Sequence, residues 1–513
     1  MPVTLTHPGV YIQEIPSGNR TVTGVATAVA AFVGRALRGP VDVPVEINSF
    51  AEFERIFGGL WRDSGLGYAV RDYYLNGGSQ AVVVRLHRGA DAAAIRVGTE
   101  LRLAAIGPGE WGNALEAVVV HASGPEAAVA AAQQGVNAAD LFHLTVREGT
   151  AAAPRLVETY QNVTLVDGPR KLDGVLAASS LVRVVSAPAS GRPDAETFRV
   201  NPSTDGGDDG DDLTADQYTG DGLEASKSGI YALHNAELFT ILCLPPTVPD
   251  QSLPDSVWSD ALDFCVRKRA FLVVDPPSDQ TAASIDSWVA ARGLTANGRN
   301  GAVYFPRVQR PDPLRNGAVG RFVPCGAIAG IMARTDSARG VWKAPAGIEA
   351  GISGAAGLTI PLTDGENGDL NPKGINCLRT FPNVGTVVWG ARTLRGADVL
   401  ADEYKYVPVR RLALFLEETL FRSTQWVVFE PNDEPLWAQI RASLGAFMQD
   451  LYRQGAFQGS SPREAYFVKC DAETTVPYDV DRGIVNIVVG FAPLKPAEFV
   501  VISIQQKTAT AAT

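Results

Sequence analysis

Residues 239–277 read FTILCLPPTVPDQSLPDSVWSDALDFCVRKRAFLVVDPP, and this stretch decides the fold class. Two short apolar runs, Phe239–Leu244 and Phe271–Val274, enclose the segment Val257–Arg269, whose apolar residues have helical spacing. Strands that are apolar at every position are typical of a sheet covered by helices on both faces. The stretch therefore predicts an α/β domain.

The same alternation of strand and helix occurs near the start of the chain. The apolar runs Ala26–Val33 and Ala81–Leu86 predict buried strands, and Ser49 with Glu52 fits a capping box before a helix from Phe50 to Phe57. Residues 91–215 are alanine-rich, with short alternating runs, and predict an inserted β-rich outer domain. We therefore expect the α/β domain to comprise 21–90 and 216–384.

The last part of the chain predicts an α+β domain over 385–497. Two stripes of apolar residues at helical spacing indicate two amphipathic helices, and short apolar runs after them indicate strands. The chain ends, 1–20 and 498–513, are predicted arms that each hold a strand without a local partner, at 8–15 and 498–506. The helical stripes are Val409, Leu412, Leu416 and Leu420, then Leu436, Ile440, Leu444, Met448 and Leu451.

The predicted fold class is thus α/β and α+β multidomain. A mixed sheet domain covered by helices carries an inserted β-rich domain, and a C-terminal α+β domain follows it, with strand-exchanging N- and C-terminal arms. The 513 residues are too many for one hydrophobic core.

Composition and charge exclude several functional classes. The net charge is -11, and no Lys/Arg cluster is interleaved with aromatic residues, so nucleic-acid binding is not expected. No run of about 18 apolar residues and no secretory signal pattern is present, so we expect synthesis in the cytoplasm without direct membrane insertion. The five cysteines lie far apart in the sequence, which predicts reduced, buried thiols.

Two glycine-rich segments resemble catalytic motifs but lack residues or an arrangement that those motifs require. Gly34 and Gly39 have the spacing of a phosphate-binding loop, but Pro40 and Val41 follow where lysine and a hydroxyl residue are needed. The run Gly77–Ala81 approaches a serine nucleophile elbow but leads from a helix into a strand, the reverse of what that motif requires. Both segments are predicted to be turns, and we predict that the protein is not an enzyme.

We predict no cofactor site and no metal site from the sequence. All five histidines are solitary, without a second histidine at the spacing of a zinc helix. The acidic loop 205–212 could bind calcium through its carboxylates, but its spacing does not match a calcium loop and no bidentate glutamate follows. A solvated acidic loop is the favoured interpretation.

Many segments, in order along nearly the whole chain, carry a family resemblance. The chain resembles the contractile tail sheath family of bacteriophages, R-type pyocins and extracellular contractile injection systems, and the likeness is weakest in the alanine-rich insert. The segments in the first three quarters of the chain are 8–18, 29–34, 76–78, 111–113, 275–277, 333–336, 340–346 and 370–376. The segments with the strongest likeness are 388–394, 406–411, 428–432, 436–437 and 496–499.

The resemblance implies a structural subunit that polymerises helically with copies of itself, in hexameric rings, around an inner tube protein. Its other implied partners are a baseplate and a terminator or cap protein. Contraction of the lattice drives the tube through a target envelope without nucleotide hydrolysis, because energy is stored as kinetic metastability. Assembly is expected in the bacterial cytoplasm, and the product is a virion tail or a released or anchored injection particle.

Two sets of residues are predicted to act in this assembly. Strand exchange between neighbouring subunits is assigned to residues of the two arms, because main-chain hydrogen bonds to another sheet give directional links. Arginines near the first C-terminal helix are predicted to face the tube, with ordinary ion pairs inside the domain as the alternative. The exchange residues are Val10, Tyr11, Ile12, Ile15, Phe499, Val500, Val501, Ile502 and Ile504, and the arginines are Arg410, Arg411 and Arg422.

Alternatives stay open at this point. The sheath could belong to a bacterial, non-viral injection system rather than to a phage tail, and the sequence does not separate the two. More remote alternatives are an α/β enzyme and a surface-binding module housed in the insert.

Overall fold

The computed structural model describes residues 21–503, which form two compact units. The larger unit comprises Ala28–Arg334 and Pro345–Lys405. The smaller unit takes in the chain up to Thr27, the segment Thr335–Ala344 and the chain from Tyr406 onward. Each unit thus draws on segments that are distant in sequence.

The larger unit is built on an eight-stranded mixed sheet. Its six central strands are parallel, and an antiparallel strand closes each edge. Across the sheet the strands are Gly385–Val388, Ile375–Phe381, Gly301–Phe305, Phe271–Val274, Ile241–Cys243, Ala30–Gly34, Ala81–Arg85 and Val45–Ile47.

Helices pack around this sheet, and a small three-stranded sheet accompanies it. The small sheet contains Ala318–Phe322, Val308–Asp312 and Gly357–Leu358. The helix Cys325–Arg339 begins in the larger unit, and its residues from Thr335 onward are counted with the smaller unit. The other α-helices of this part are Phe50–Phe57, Leu66–Leu75, Ala215–Thr219, Leu223–Ser226, Asp255–Lys268, Ile285–Ala291 and Asp364–Leu370.

The helix Phe50–Phe57 occupies the predicted residues, and its cap differs from the predicted box in one bond. The Glu52 backbone N–H donates to Ser49 Oγ (3.2 Å), as expected for an N-cap serine. The Glu52 carboxylate accepts from the Asn48 N–H (2.7 Å) and not from the Ser49 N–H. Gly58 ends the helix with φ of 91°.

The residues predicted as an insert form two antiparallel sheets around their own hydrophobic core. One sheet runs Thr197–Arg199, Leu115–His121, Phe142–Thr150, Ala153–Val163, and the other runs Ala94–Val97, Leu101–Ala105, Val182–Ser186. The helices here are Gly124–Gln134, Leu172–Leu176 and Pro202–Asp205.

The smaller unit pairs two long helices, Val407–Ser423 and Glu434–Arg453, with one two-stranded antiparallel sheet. The predicted stripe residues Leu412, Leu416, Met448 and Leu451 meet in one core. The remaining elements are the strands Tyr466–Lys469 and Val488–Phe491 and the helices Pro462–Ala465 and Pro477–Asp481.

One predicted boundary in the C-terminal third needs correction. Gly385–Val388 pairs with Ile375–Phe381 in the large sheet, so the chain leaves the larger unit after Lys405 and not at 385. Residues 499–503 have no strand partner within residues 21–503, so their pairing with another subunit stays a prediction. The N-terminal segment 8–15 lies outside the described residues.

Candidate assembly site

The base of the C-terminal arm is fixed to the start of the first long helix of the smaller unit. Tyr406, the N-cap of the helix Val407–Ser423, donates a hydrogen bond from its hydroxyl to Glu498 Oε2 (3.2 Å). The next four side chains, Phe499 to Ile502, are all apolar and between 74% and 87% exposed. The arm therefore begins as an apolar segment that the described part of the chain, residues 21–503, does not bury.

The N-terminal segment is fixed to the same helix, nearer its other end. The Val25 N–H donates to Thr419 Oγ1 (3.2 Å), and Gly24 lies so close to Phe415 that an added Cβ would come within 2.9 Å of the ring. Val22 packs among the cores of this unit. Thr419 lies 13 residues after Tyr406, which corresponds to roughly 20 Å along the helix, so one helix anchors both arm bases at this spacing.

The two-stranded sheet of the smaller unit has one packed face and one open face. Tyr466 and Val468 point toward the helix Glu434–Arg453, where the Tyr466 hydroxyl donates to Gln449 Oε1 (2.9 Å). Phe467 and Lys469 point away and are exposed. In residues 21–503 each strand has only the other as its strand neighbour, so backbone groups at the outer edges are open to pairing.

Of the predicted strand-exchange residues, the structure places Phe499, Val500, Val501 and Ile502 at the exposed start of the C-terminal arm. The other predicted exchange residues, Val10, Tyr11, Ile12, Ile15 and Ile504, lie outside the described residues. Strand exchange itself stays a prediction.

Arg411 is buried, and the tube-facing hypothesis needs correction for this residue. Its guanidinium donates to both carboxylate oxygens of Asp336 (2.9 and 2.7 Å) and to the Thr27 carbonyl (3.0 Å), and the side chain is 3% exposed. A planar guanidinium suits such bidentate pairing. The geometry agrees with the alternative of an ion pair inside the domain, since a buried group cannot reach a tube.

Arg410 and Arg422 also form ion pairs within the same helix. Arg410 Nη1 lies 3.1 Å from Glu417 Oε1, and Arg422 Nε lies 2.6 Å from Glu418 Oε1. The Arg422 side chain keeps 34% of its surface exposed. Each pair has one partner that is more than a third exposed, and partly exposed pairs are weak. A tube-facing role for these two residues stays a prediction.

The turn after the first strand is filled by the protein's own groups. Arg35, directly after the strand Ala30–Gly34, donates to Asp212 Oδ1 (3.0 Å) and to the carbonyls of Asp209 and Gly210 (3.1 Å each). Its guanidinium also lies 4.6 Å from the ring centre of Trp61. In open α/β sheets ligands bind at the carboxyl ends of the strands where the strand order reverses. Here an arginine and the acidic loop occupy the end of the central strand.

The acidic loop 205–212 is a connector, and four of its five aspartate side chains accept hydrogen bonds from the described chain. Asp205 is buried between Arg96 (2.7 Å) and Arg102 (3.2 Å), and these cations hold the pKa of its carboxyl below the usual range. Asp209 accepts from the Glu110 N–H (2.8 Å). No group of three or more potential ligands within 21–503 is arranged to hold a metal ion.

Asn113 is a structural residue whose role the sequence did not reveal. Its side-chain amide donates to the Gly207 carbonyl (3.0 Å), and its amide oxygen accepts from the Gly207 N–H (2.7 Å). This two-way bond ties the segment Trp111–Asn113, one of the resemblance segments, to the acidic loop. In the sequence, the only signal for Asn113 was its place in the resemblance segment Trp111–Asn113.

The run Gly77–Ala81, which approaches a nucleophile elbow in sequence, begins with a turn. Gly77 has φ of 108°, and a side chain at Gly78 would overlap the ring of Tyr73, 2.3 Å away. The run thus leads from the helix Leu66–Leu75 into the strand Ala81–Arg85 by a turn that needs glycine. Across the described chain, none of the helices has the length and apolar character that crossing a membrane requires.

One carboxyl in the larger unit is buried at the carboxyl end of a central strand. Asp275 follows the strand Phe271–Val274, and burial raises the pKa of its carboxyl to about 7. Interactions with Cys325 and the charge of Arg307 oppose this rise but are smaller than the effect of burial. A carboxyl without solvent and with weak compensation is an electrostatic cost to the fold near neutral pH.

These features define a class of protein. Arg35 and the acidic loop at the end of the first strand are committed to internal bonds, while the smaller unit presents an open sheet and an apolar arm. The class is a multidomain protein whose smaller unit offers surfaces for other chains. Comparisons with known proteins identify the family within this class.

The family models match over more than half of the chain. Residues 214–394 match the phage tail sheath protein central domain, and residues 401–507 match the phage tail sheath C-terminal domain. The chain belongs to the contractile phage tail sheath family, whose members are structural sheath proteins. Within it, the chain is 27% identical to the tail sheath protein of Enterobacteria phage T4 over 229 residues, and 27% identical to that of Vibrio phage KVP40 over 185 residues.

The phage relatives are longer proteins. The matches cover 44% of this chain and 33% of the T4 protein, and 36% of this chain and 26% of the KVP40 protein. The chain therefore spans about a third or less of these relatives' length.

Solved sheath structures share the fold along nearly the whole chain. The sheath of the extracellular contractile injection system PVC, in the contracted state, gives a TM-score of 0.58 at 23% identity and 99% coverage of both chains. The contracted helical sheath of the anti-feeding prophage gives 0.57 at 24% identity, covering 98% of this chain and 100% of that one. A sheath tail protein from Listeria innocua gives 0.60 at 14% identity, covering 92% and 96%.

Proposed function

We propose that this chain is a sheath subunit that polymerises helically around an inner tube and contracts to drive the tube through a target envelope. Family membership supports sheath assembly. The single observation that carries the proposal is the apolar arm Phe499–Ile502, which emerges from a fixed base beside a sheet with open edges.

The arm has the properties of a strand that pairs with another subunit. Phenylalanine, valine and isoleucine favour strands, and burying each side chain is worth about 1.5–3 kcal/mol. Ordering an extended segment costs about 1–2 kcal/mol per residue, so the arm gains stability only where it finds both a ladder and an apolar surface. The outer edges of Tyr466–Lys469 and Val488–Phe491 in a neighbouring copy offer both.

The arms would keep subunits linked while the lattice changes shape. Both arm bases are fixed on the helix Val407–Ser423, so a pull on either arm is transmitted directly to the core of the smaller unit. Main-chain ladders between subunits survive rotation of the units that they join. Contraction would then release energy stored during assembly, as new contacts form between subunits that never separate.

The proposal is tested by removing one arm at a time from the full chain. Deletion of residues 8–15 or of residues 499–513 should leave a folded monomer and abolish the hollow tubes that we expect negative-stain microscopy to show for the intact chain. Circular dichroism and thermal unfolding of the truncated monomers verify that the fold is kept. Normal tubes from either truncation would overturn strand exchange, and an intact chain that never forms tubes or rings would overturn the sheath assignment.

The inner tube, baseplate and terminator or cap proteins are the other proposed partners, with assembly in the bacterial cytoplasm. A phage tail and a bacterial injection particle would use the same subunit geometry, and both settings agree with the family. Neighbouring genes for capsid proteins would place the sheath in a phage, whereas tube and baseplate genes without capsid genes would place it in an injection particle.

A further inference from the structure

The loop between the two long helices of the smaller unit displays an aromatic side chain on a strained turn. Val428 has φ of -66° and ψ of 128°, Phe429 has φ of 70°, and the Glu430 N–H donates to the Val427 carbonyl (3.1 Å). These values define a type II turn, with Phe429 at the position that favours glycine because φ is positive. A bulky residue there is strained.

No apolar contact within residues 21–503 compensates for this strain. The Phe429 side chain is fully exposed and Val428 is 63% exposed, so neither buries its apolar surface. The turn is nevertheless held firmly, since Asn432 donates to the Ile484 carbonyl (2.9 Å) and accepts from Trp437 Nε1 (2.9 Å). A strained, exposed aromatic residue on a braced turn indicates a contact outside the subunit.

We propose that Val428, Phe429 and Glu430 form a knob that docks on the open face of the two-stranded sheet in a second copy of this chain. The inference rests on the proposed polymerisation and names one of its contacts. It is a contact between side chains and a sheet face, separate from the pairing of arms at the sheet edges.

The open face complements the knob in apolar character and in charge. The ring of Phe467 lies against Gly490, where an added Cβ would come within 2.2 Å of the ring, and its exposed part offers an aromatic surface for Phe429. Lys469 lies on the same side, opposite Val488. Neither Glu430 nor Lys469 forms a side-chain ion pair or hydrogen bond within 21–503, and the two carry opposite charges.

The positions of knob and face favour a polymer over a closed dimer. The knob directly precedes the N-terminus of the helix Glu434–Arg453, whereas the face looks away from that helix because its other side packs there. Two different surfaces that meet head to tail generate an open helical array if the rotation does not close. One copy thus offers the knob and the next copy receives it.

The first experiment separates strain from docking. In the full chain, Phe429→Gly relieves the turn, so the midpoint of thermal unfolding of the unassembled subunit should not fall. The critical concentration for tube formation should nevertheless rise about tenfold or more, because each repeated contact is lost along the array. Tyr478→Ala, which removes an aromatic residue that is 67% exposed in the same unit, is the matched control and should assemble normally.

Cross-linking tests which surfaces meet. All five native cysteines are buried, so Glu430→Cys and Lys469→Cys add unique accessible thiols. A short bismaleimide should link the two variants when they are mixed and assembled, and should link neither variant alone. If the wild type forms tubes and Phe429→Gly assembles equally well, the proposed docking of the knob is wrong. The absence of a cross-link in the mixed tubes would also contradict it. A wild-type chain that never assembles would instead overturn the sheath proposal on which it rests.

Discussion

The Tyr406 hydroxyl donates a hydrogen bond to Glu498 across 92 residues of sequence, and this bond joins the N-cap of a core helix to the last fixed residue before the C-terminal arm. The next four side chains, Phe499 to Ile502, are exposed and apolar. The bond therefore sets where the fold ends and where the arm begins, which determines the direction in which an exchanged strand would leave its subunit.

Tyr406→Phe removes this bond and should loosen the arm base. The loss of one partly buried hydrogen bond costs about 0.5–1.5 kcal/mol, so the monomer should stay folded. Tube formation should weaken because the arm no longer has a defined direction, and sedimentation of assembled material measures the effect. Glu498→Gln keeps an acceptor oxygen and should assemble more nearly like the wild type. Equal behaviour of the two variants would show that the bond has no role.

Arg411→Met should destabilise the smaller unit by about 3–5 kcal/mol, because it leaves the Asp336 carboxylate buried without its cation. Arg410→Gln, which removes a partly exposed pair with Glu417, should change stability by no more than about 1 kcal/mol. Urea unfolding of both variants measures the contrast. A stable Arg411→Met subunit that fails only to bind the tube would restore the tube-facing role for this residue.

Asp275 predicts a pH dependence of stability in the larger unit. Its folded pKa of about 7 lies above the ordinary value of 3.8, so the folded state holds a proton that the unfolded state releases. This contribution is complete below about pH 4 and is lost as pH rises to about 7.

Asp275→Asn should therefore raise the midpoint of thermal unfolding at pH 8, and this gain should shrink as pH falls toward 4. The expected size at pH 8 is on the order of 1–4 kcal/mol, since one pKa unit is worth about 1.4 kcal/mol. Thermal unfolding of both proteins across pH 4–8 measures it. A gain of the same size at every pH would assign the effect to packing and not to titration.

Asn113→Ala should free the acidic loop. The variant loses both bonds to the Gly207 backbone, and two partly buried hydrogen bonds at about 0.5–1.5 kcal/mol each give a cost of about 1–3 kcal/mol. Limited proteolysis should then cut within 205–212 much faster than in the wild type. Asn113→Asp, which keeps the acceptor and loses the donor, should fall between the two. No change in cleavage would mean that other contacts hold the loop.

The sequence by itself determined the elements and the fold class. The strand Phe271–Val274 has its predicted bounds, and the strand Ile241–Cys243 lies within the predicted run Phe239–Leu244. Both C-terminal helices contain their predicted apolar stripes, because burial on one face or two leaves a local pattern in the sequence. The family resemblance was also readable at this level, since it rests on short segments in order along the chain.

Only the tertiary structure decided which polar groups meet. Arg35 finds Asp212 across 177 residues, and Arg411 finds Asp336 across 75, and neither pairing leaves a mark on the spacing around either residue. An arginine beside a helix looks the same in sequence whether it is buried or exposed, since its burial depends on a carboxylate brought from a distant segment. The strained turn at Phe429 is likewise recognised only from the structure, because the sequence shows neither its backbone angles nor its exposure.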